Sequence, residues 1–330
     1  MDIANLKQTA KAMVAHGKGI LAADESSRTI QKRFDIIGLT SNPQTNLNYR
    51  KMLFTTPGVE EFLSGVILYD ETIRQEIDGV AVPKYLANKG IIPGIKVDKG
   101  AVDLPNFPGE KITEGLDGLG GRLKEYASMG AKFAKWRAVI TIGEGIPNTC
   151  IESNAESLAR YAALCQEANL VPIVEPEVLM DADNTLEVCR EVTSQTLRVV
   201  FDRLKAHKVI LEGVILKPNM IISGKKCFKQ AGSKEIAKAT VETFLEVVPK
   251  EVPGVVFLSG GQTPEEATIN LYEINLIPNS PWQLSYSYGR ALQGEALEVW
   301  AGKEENMAMA QKTFSQRAKK VSLARQGKSS

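Results

Sequence analysis

The sequence is poor in the residues from which metal sites and disulfide frameworks are built. It has only two histidines, His16 and His207, far apart in the chain, so a histidine-based metal site would have to recruit carboxylates from elsewhere. The four cysteines form no CxxC pair, and neither a signal peptide nor a membrane-spanning apolar run is found. We therefore expect a reduced, cytoplasmic protein that uses no metal and no other cofactor.

The sequence also lacks an excess of charge of either sign. The formal net charge at pH 7 is +1, which gives no overall field to attract nucleic acid or an anionic membrane. Any attraction for anions must come from local groups, so we expect small-molecule partners. The 330 residues, 43% of them hydrophobic, are enough to bury a large core.

What the chain does contain is a repeated pattern of apolar runs that end on polar or charged residues. The runs cover residues 19–24, 65–70, 91–98, 131–137, 170–177, 213–217, 254–259 and 282–287. Amphipathic stretches such as 156–166 and 233–247 lie between them, and this alternation predicts a parallel sheet with crossover helices. Eight units, with no GxGxxG after the first strand and no linker, favour an α/β fold: a (β/α)8 barrel of one domain, 1–330. An N-terminal helix and a C-terminal helical extension take up the remaining length.

The sixth run, 213–219, places a lysine at the end of a buried strand. Lys217 follows four small or apolar residues and precedes a proline. A lysine with reduced hydration has a lowered pKa, and its neutral amine can attack a carbonyl. The alternative is an inert lysine whose ammonium group reaches solvent at the barrel end.

Paired charges lie at the ends of the third, fourth and fifth runs. Because strand side chains alternate, residues two apart share a side, so Lys135 and Arg137 would face the barrel mouth together, as would Glu175 and Glu177. The pair of Lys96 with Asp98 has the same spacing.

These charges suggest amine chemistry at Lys217. Lys135 beside Lys217 would lower the pKa of that amine further, and Glu175 could act as acid and base in forming a Schiff base. Asp24, at the end of the first strand, could take a hydroxyl proton, orient the lysines or serve only as an ion-pair partner.

Two groups of residues suggest phosphate sites. The seventh and eighth strands end in glycine turns at 258–261 and 288–290, where barrels often hold phosphate. Lys96 and the segment 26–33, with Arg28, Thr29, Lys32 and Arg33, could hold a second anion across the mouth. Two phosphates with a carbonyl between them suggest a bisphosphorylated ketose.

Eight short segments in one order give the chain a close resemblance to class I fructose-bisphosphate aldolases. They are LAADES, GIKVDKG, GLDGL, FAKWR, VPIVEPE, ILKPNM, FLSGGQ and SYGRALQ. The resemblance implies that Lys217 is the Schiff-base lysine and Glu175 the acid/base for dehydration. It also implies that Lys135 and Glu177 tune and orient the lysine, and that Asp24 acts at the C4 hydroxyl.

The same resemblance implies where substrate phosphates bind. Ser259, Gly260, Gly289 and Arg290 would hold the C1 phosphate, Lys96 and Ser26 would lie near the C6 phosphate, and Arg137 would help to bind substrate. The remaining residues of the expected substrate site are Thr29, Arg33, Ser287 and Leu258. The family resemblance further implies a homotetramer that acts in glycolysis and gluconeogenesis.

The sequence differs from the family pattern in two places. Residues 27–29 are Ser-Arg-Thr where the animal enzymes have Thr-Gly-Ser, so Thr29 keeps a hydroxyl and Arg28 adds a charge. The segment 325–330 stops short of the longer family tail that ends in tyrosine, so we expect no tail tyrosine to assist proton transfer here.

Two alternatives remain from the sequence. One is another Schiff-base sugar-phosphate enzyme, such as a transaldolase or monophosphate aldolase, which would need one anion site. The other is a non-catalytic binding scaffold that works through partners, although such a scaffold would be expected to lose site charges that this chain keeps.

Overall fold

The apolar runs form the eight parallel strands of a closed barrel. The computed structural model describes residues 1–143 and 145–329. The strands that form the barrel are β1 Gly19–Ala23, β2 Leu63–Leu68, β3 Ile92–Lys96, β4 Phe133–Ile140, β5 Val171–Val178, β6 Ile215–Leu216, β7 Gly254–Phe257 and β8 Gln283–Tyr288. Each pairs with the next in parallel, and β8 pairs with β1 to close the barrel. The predicted (β/α)8 fold is confirmed.

Twelve α-helices lie around this barrel in the described part of the chain. They are α1 Ile3–Met13, α2 Ser27–Phe34, α3 Pro43–Phe54, α4 Asp70–Ile73, α5 Val82–Asn88, α6 Leu119–Ser128, α7 Asn148–Glu167, α8 Leu186–Ala206, α9 Ser233–Val247, α10 Pro264–Leu276, α11 Arg290–Trp300 and α12 Met307–Arg325. Local sequence sets several of their starts. Asp2 caps α1, and Thr263 with Glu266 forms a capping box at α10, where Pro264 occupies the first turn.

The lower half of the barrel interior is filled by apolar side chains. The predicted N-terminal helix α1 packs its buried Leu6 and Met13 into the same cluster as Ile20, Phe133 and Ile173. This packing closes the end of the barrel at which the strands begin. The polar side chains are therefore gathered at the opposite end, where the strands finish.

The predicted C-terminal helical extension is α12, which is held by two buried arginines. Arg317 donates to the carbonyl oxygens of Ala291 and Pro264, and Arg325 donates to those of Ala15 and Lys18. Burial lowers the pKa of Arg325 to about 10, with Tyr286 opposing the shift. The helix thus joins α10 and α11 to the closed end of the barrel.

Two short antiparallel hairpins interrupt the regular alternation, and the sequence pattern did not predict them. One pairs Glu76–Ile77 with Val80–Ala81, and the other pairs Gly100–Asp103 with Lys111–Glu114. The second follows β3 directly and borders the barrel mouth.

In the described ranges, no helix combines the length and the apolar character that a membrane crossing needs.

Candidate active site

Four charged side chains from four strands meet inside the carboxyl end of the barrel. Lys217 follows β6, and its Nζ lies 3.1 Å from Glu175 Oε1 of β5. Lys135 Nζ of β4 lies 3.0 Å from the other oxygen of Glu175 and donates to Asp24 Oδ2 at 2.9 Å. One carboxylate therefore lies between two amines, and all four residues belong to a single cluster.

The register of the sheet explains why these residues converge. The backbone N–H of Lys217 continues the β6 ladder by donating to Val174 O, one residue before Glu175. Lys135 is paired with Ile173, two residues before Glu175 on the next strand. Neighbouring parallel strands thus bring Lys135, Glu175 and Lys217 to one level of the barrel.

The two lysines of the cluster have opposite pKa shifts. Burial is the main cause of the lowered pKa of Lys217, and the charge of Lys135 lowers it further against the attraction of Glu175 and Asp24. Burial also acts to lower the pKa of Lys135, but Asp24, Glu175 and Asp98 overcome it and raise that pKa. Of the two, Lys217 is therefore the amine that loses its proton more readily.

Both carboxylates of the cluster are held in the ionised form. Burial acts to raise the pKa of each, but for Asp24 the charges of Lys135 and Lys217 hold the value well below the usual range. The pKa of Glu175 is also lowered, because Lys135, Lys217 and Arg137 outweigh burial and the repulsion of Asp24. Each carboxylate can thus accept a proton if the neighbouring charge changes.

The second pair of charges, Arg137 and Glu177, forms its own ion pair beside the cluster. The Arg137 guanidinium donates to Glu177 Oε2, and Glu177 lies next to Gly260. Among the described contacts, Glu177 is paired with Arg137 and not with Lys217. Burial acts to lower the pKa of Arg137, but Glu177, with Glu175 and Asp98, raises it.

A cavity of about 560 Å³ opens on one side of the mouth. Ser26, Thr29, Lys96 and Arg137 line it, and the Ser26 and Thr29 hydroxyl oxygens are 3.1 Å apart. Lys96 Nζ lies 2.6 Å from Asp98 Oδ1. Four residues predicted to contact substrate are thus brought together on the wall of one cavity.

The opposite side of the mouth carries the glycine turns that follow β7 and β8. Ser259 and Gly260 follow β7, Gly289 precedes α11, and the exposed Arg290 begins that helix. Arg290 also lines a cavity of about 590 Å³ together with Gly261. These residues lie where two adjacent strands end.

Two further predicted substrate residues are buried at this side. Ser287 of β8 is 1% exposed, and its Oγ has no hydrogen-bond partner in the described part of the chain. Leu258 is also buried, and its backbone N–H already donates to Pro218 O at 3.1 Å. Ser287 thus has a free hydroxyl, whereas the backbone N–H of Leu258 is already used.

Arg33 differs in position from the sequence-based interpretation. The sequence analysis grouped it with Lys96 in a second anion site across the mouth, but the guanidinium forms an ion pair with Glu25 and contacts Gln293. A guanidinium nitrogen also lies 3.3 Å from where a Cβ on Gly289 would be placed. The helical turn of α2 therefore directs Arg33 toward the β8 side of the mouth.

The sequence reasoning missed several charged residues of the site. Arg122 and Lys99 line the cavity that contains Lys96. Arg50 is fully buried and donates to Ala23 O and Glu25 O. Lys99 and Glu25 belong to the motifs GIKVDKG and LAADES and could have been selected, whereas Arg50 and Arg122 lie in helical stretches without a distinguishing pattern.

We also searched the described residues for groups of side chains that could bind a metal ion. Within residues 1–143 and 145–329, no three or more His, Cys, Asp or Glu side chains are grouped so that they could hold a metal ion. All four cysteines are unpaired, and Cys227 is the partly exposed one.

Comparisons with known proteins identify relatives over nearly the whole chain. The profile of the family described as "Fructose-bisphosphate aldolase class-I" matches residues 5–330. A protein of Xanthomonas campestris pv. campestris named "Probable fructose-bisphosphate aldolase class 1" is 56% identical over 99% of both chains. The fructose-bisphosphate aldolase of Dictyostelium discoideum is 51% identical over 97% of this chain and 91% of its own.

The solved structures give a matching result. The fructose-bisphosphate aldolase of Plasmodium falciparum, solved in a ternary complex with TRAP and a small-molecule inhibitor, superimposes with a TM-score of 0.97. It is 49% identical and covers 99% of this chain and 95% of that chain. A closed (β/α)8 barrel with charged residues at the carboxyl ends of its strands is typical of a barrel enzyme, and the family and the named relatives give the lyase class. The chain belongs to the class I fructose-bisphosphate aldolase family, as the resemblance of its eight segments predicted.

Proposed function

We propose that this protein reversibly cleaves fructose 1,6-bisphosphate to dihydroxyacetone phosphate and glyceraldehyde 3-phosphate through an iminium on Lys217. The observation that carries the proposal is the position of Glu175 between Lys217 and Lys135. The lowered pKa of Lys217 makes its ammonium lose a proton more readily, and the raised pKa of Lys135 keeps a cation beside it.

The first half of the reaction builds the covalent intermediate. The Lys217 ammonium gives a proton to Glu175. As the neutral Nζ then bonds to the C2 carbon of the open-chain ketose, the C=O π bond breaks, and the oxygen takes a second proton from Nζ to become the carbinolamine hydroxyl. Glu175 then protonates the carbinolamine hydroxyl, the C–O bond breaks, and water leaves as the iminium forms. Glu175 suits both steps because it is already 3.1 Å from Lys217 Nζ.

The second half breaks the bond between C3 and C4. Loss of the C4 hydroxyl proton releases the aldehyde, and the electron pair of the broken bond enters the iminium to give an enamine on Lys217. We assign Asp24 to hold the C4 hydroxyl and Lys135, because its strongly lowered pKa makes it a weak base. In this assignment Glu175, ionised again after the dehydration, takes the C4 hydroxyl proton. Protonation of the enamine at C3 and hydrolysis of the resulting iminium then release dihydroxyacetone phosphate and restore Lys217.

The substrate phosphates fit the two sides of the mouth. We propose that Ser259, Gly260, Gly289 and Arg290 bind the C1 phosphate, with Ser287, Leu258 and Arg33 at the same side. We propose the C6 phosphate in the cavity of Lys96, Ser26 and Thr29, with Arg137 and its partner Glu177 between the two sides. The missed Lys99 and Arg122 add positive charge to the second cavity.

The decisive experiment traps the covalent intermediate. Borohydride added with dihydroxyacetone phosphate should reduce the iminium to a stable secondary amine, and peptide mass spectrometry should locate it at Lys217. Lys217→Met should abolish both labelling and turnover while the circular dichroism spectrum stays unchanged. Lys132→Met changes an exposed lysine just before β4, at the end of the barrel where the strands begin, and should keep both. A label on another lysine, or an unlabelled active enzyme, contradicts the proposal.

The two alternatives predict different rates. A monophosphate aldolase or transaldolase would not gain from the second phosphate, so the ratio of kcat/KM for fructose 1,6-bisphosphate and fructose 1-phosphate separates them from our proposal. A binding scaffold would show no lyase activity even at high protein concentration. The cavity beside Lys96 favours the bisphosphate, because it offers a second cationic wall.

We also propose, from family membership, a homotetramer that works in cytoplasmic glycolysis and gluconeogenesis. Light scattering of the purified protein tests the tetramer against the 36.0 kDa chain, and fractionation of the source cells tests the compartment. We further propose that residues 1–330 fold as one domain, since α1 and α12 both pack on the single barrel. A single unfolding transition in calorimetry supports this assignment.

A further inference from the structure

The short link 24–26, which joins β1 to α2, carries Asp24. One end of the link is fixed by β1, whose last residue, Ala23, pairs with Leu68 of β2. The other end is fixed by α2, because Ser26 O accepts from two backbone N–H groups of that helix. The backbone around Asp24 lies between these fixed points, and its direction depends on other contacts.

One buried guanidinium holds the chain on both sides of Asp24. Arg50 of α3 donates from Nε to Ala23 O at 3.3 Å and from Nη2 to Glu25 O at 3.0 Å. In the described part of the chain, no backbone N–H donates to Glu25 O, so the Arg50 side chain supplies its hydrogen bond. The planar fork of a single arginine thus binds the carbonyl groups that precede and follow Asp24.

The short contacts of Arg50 go to these carbonyl groups and not to carboxylates. Arg50 is fully buried, so its charge must be compensated within the protein. The compensating carboxylates are Glu25 Oε2 at 3.8 Å and Glu71 Oε1 at 3.7 Å. Both distances exceed those of a normal hydrogen bond, whereas a guanidinium that served only as a counter-ion would be expected to contact a carboxylate closely.

The Asp24 carboxylate is not fixed by its own hydrogen bond alone. Lys135 Nζ donates to Asp24 Oδ2 at 2.9 Å, but the same Nζ also lies 3.0 Å from Glu175 Oε2. Lys135 would therefore stay in the cluster if Asp24 moved away. The direction of the Asp24 side chain depends in addition on the backbone that Arg50 holds.

We propose that Arg50 is a positioning residue that orients Asp24 toward the C4 hydroxyl of the substrate. Because Arg50 is fully buried, it cannot touch the substrate and acts through the carbonyl groups of Ala23 and Glu25. The inference rests on the proposed function, in which Asp24 holds the C4 hydroxyl during cleavage between C3 and C4. Iminium formation with dihydroxyacetone phosphate does not use Asp24 in this way, since that ketone has no C4 hydroxyl.

The test compares these two steps in Arg50→Lys. The substitution keeps the charge but replaces a planar fork with a single ammonium group, which cannot hold both carbonyl groups in the same way. We expect kcat for cleavage of fructose 1,6-bisphosphate to fall by about 10- to 100-fold, because Asp24 is displaced from the C4 hydroxyl. KM should change little. Borohydride trapping of dihydroxyacetone phosphate should keep its original rate, because Lys217 and Glu175 stay in place.

Arg325→Lys is the matched control. Arg325 is also a buried arginine that donates to backbone carbonyl groups, but it lies at the closed end of the barrel. Its replacement should lower the free energy of unfolding and leave both steps unchanged. Equal losses of cleavage and trapping in Arg50→Lys, or cleavage at the original rate, overturn the proposal.

A neutral variant covers the case in which Arg50→Lys does not fold. Arg50→Gln leaves neither carboxylate without a partner, because Glu25 keeps its ion pair with Arg33 and Glu71 keeps its hydrogen bond from Asn46. It should show the same selective loss of cleavage. If neither variant folds, Arg50 is required by the fold itself and the proposed role is rejected.

The same measurements separate this inference from the proposed function. If the original protein forms no iminium with dihydroxyacetone phosphate, the proposed function is wrong and the role of Arg50 falls with it. If the original protein forms the iminium and Arg50→Lys loses trapping as much as cleavage, the proposed function stands and only the role of Arg50 is wrong.

Discussion

At the scale of single residues, the chemistry depends on two lysines in nearly the same surroundings. Both Lys135 and Lys217 are almost fully buried, yet the pKa of one is raised and that of the other lowered. The difference comes from partners, since Lys135 contacts two carboxylates and Lys217 contacts one. The number of carboxylate contacts therefore distinguishes the proposed nucleophile, Lys217, from Lys135 more directly than burial does.

Replacement of Glu175 should separate proton transfer from amine attack. In Glu175→Gln we expect kcat to fall by about 10²- to 10⁴-fold, because the group that we propose dehydrates the carbinolamine is lost. The pKa of Lys217 should fall further, because Glu175 is the main charge that raises it. Single-turnover trapping with borohydride measures the rate of iminium formation.

The control for this variant is Glu177→Gln, which removes the carboxylate that pairs with Arg137 and leaves the cluster intact. It should raise KM more than it lowers the trapping rate. If Glu175→Gln forms the iminium at the original rate, another group carries the proton.

The lowered pKa values of the carboxylates have a consequence for stability in acid. Asp24 and Glu175 have folded-state pKa values below their ordinary 3.8 and 4.5, so they contribute stability at neutral pH that is lost as the pH falls below those values. In Asp24→Asn the loss of stability on acidification should therefore be smaller. Urea unfolding at about pH 7 and about pH 3 measures the difference.

Asp35→Asn is a control for this experiment, since Asp35 lies at the exposed end of α2. It should keep the full acid sensitivity of the original protein. An equal response of both variants would show that the acid sensitivity arises elsewhere.

The position of Arg33 shows that the sequence does not predict where a side chain on a helix points. Strand alternation predicted that Lys135 and Arg137 share a side, and the residues indeed lie together at the mouth. Arg33 lies on a helix, and its direction depends on the ion pair with Glu25 and on the approach of its guanidinium to Gly289, just after β8. Such long-range contacts carry no local sequence signal.

At the scale of elements, close contacts between strands depend on residues without side chains. Gly94 of β3 faces the ring of Phe133, the first residue of β4, and a Cβ at Gly94 would overlap that ring. Phe133 is fully buried within the lower barrel cluster. The Phe133 ring therefore occupies the space that a side chain at position 94 would need.

We expect Gly94→Ala to lower the free energy of unfolding by about 1–3 kcal/mol, because the fixed ring cannot move away. Addition of Phe133→Leu should recover part of the loss, which a double-mutant cycle in urea measures. Gly90→Ala has open space around it, and its cost should come from its positive φ alone. Purely additive effects of Gly94→Ala and Phe133→Leu would argue against this contact.

The elements also differ in how far the sequence reveals them. Eight apolar runs predicted eight strands because a strand buried on both faces needs continuous apolar residues. Only two residues of the sixth run, Ile215 and Leu216, form regular strand pairing, since Pro218 cannot donate to the ladder. The hairpin after β3 was missed because its strand residues are mostly exposed and show no apolar alternation.

At the scale of the whole molecule, the small number of histidines bears on whether the reaction uses a metal ion. With two histidines in the chain, the iminium on Lys217 is the proposed electron sink that a metal ion supplies in metal-dependent aldolases. We expect cleavage activity to be unchanged by prolonged treatment with EDTA. A coupled assay of glyceraldehyde 3-phosphate release measures this, and activity that returns with an added divalent metal would contradict the Schiff-base route.

The general architecture was easier to predict than the site. The barrel follows from a period that repeats along the whole chain, from Ile20 to Ser287, whereas the site depends on single side chains from distant turns. Asp24, Lys135, Glu175 and Lys217 could be selected because each lies in the polar part of an apolar run, whether inside the strand, as Lys135 and Glu175 do, or just after it. Arg50, in the middle of α3, could not.

The first and last helices meet at the closed end of the barrel. Arg325 of α12 donates to the carbonyl oxygens of Val14, Ala15 and Lys18, just after α1, while Lys217 lies at the far end of the strands. A protein attached to a surface through either α1 or α12 would thus present its mouth to the surrounding solution. Immobilised reactors and fusion partners can be joined on this side without obstructing the entry of sugar phosphates.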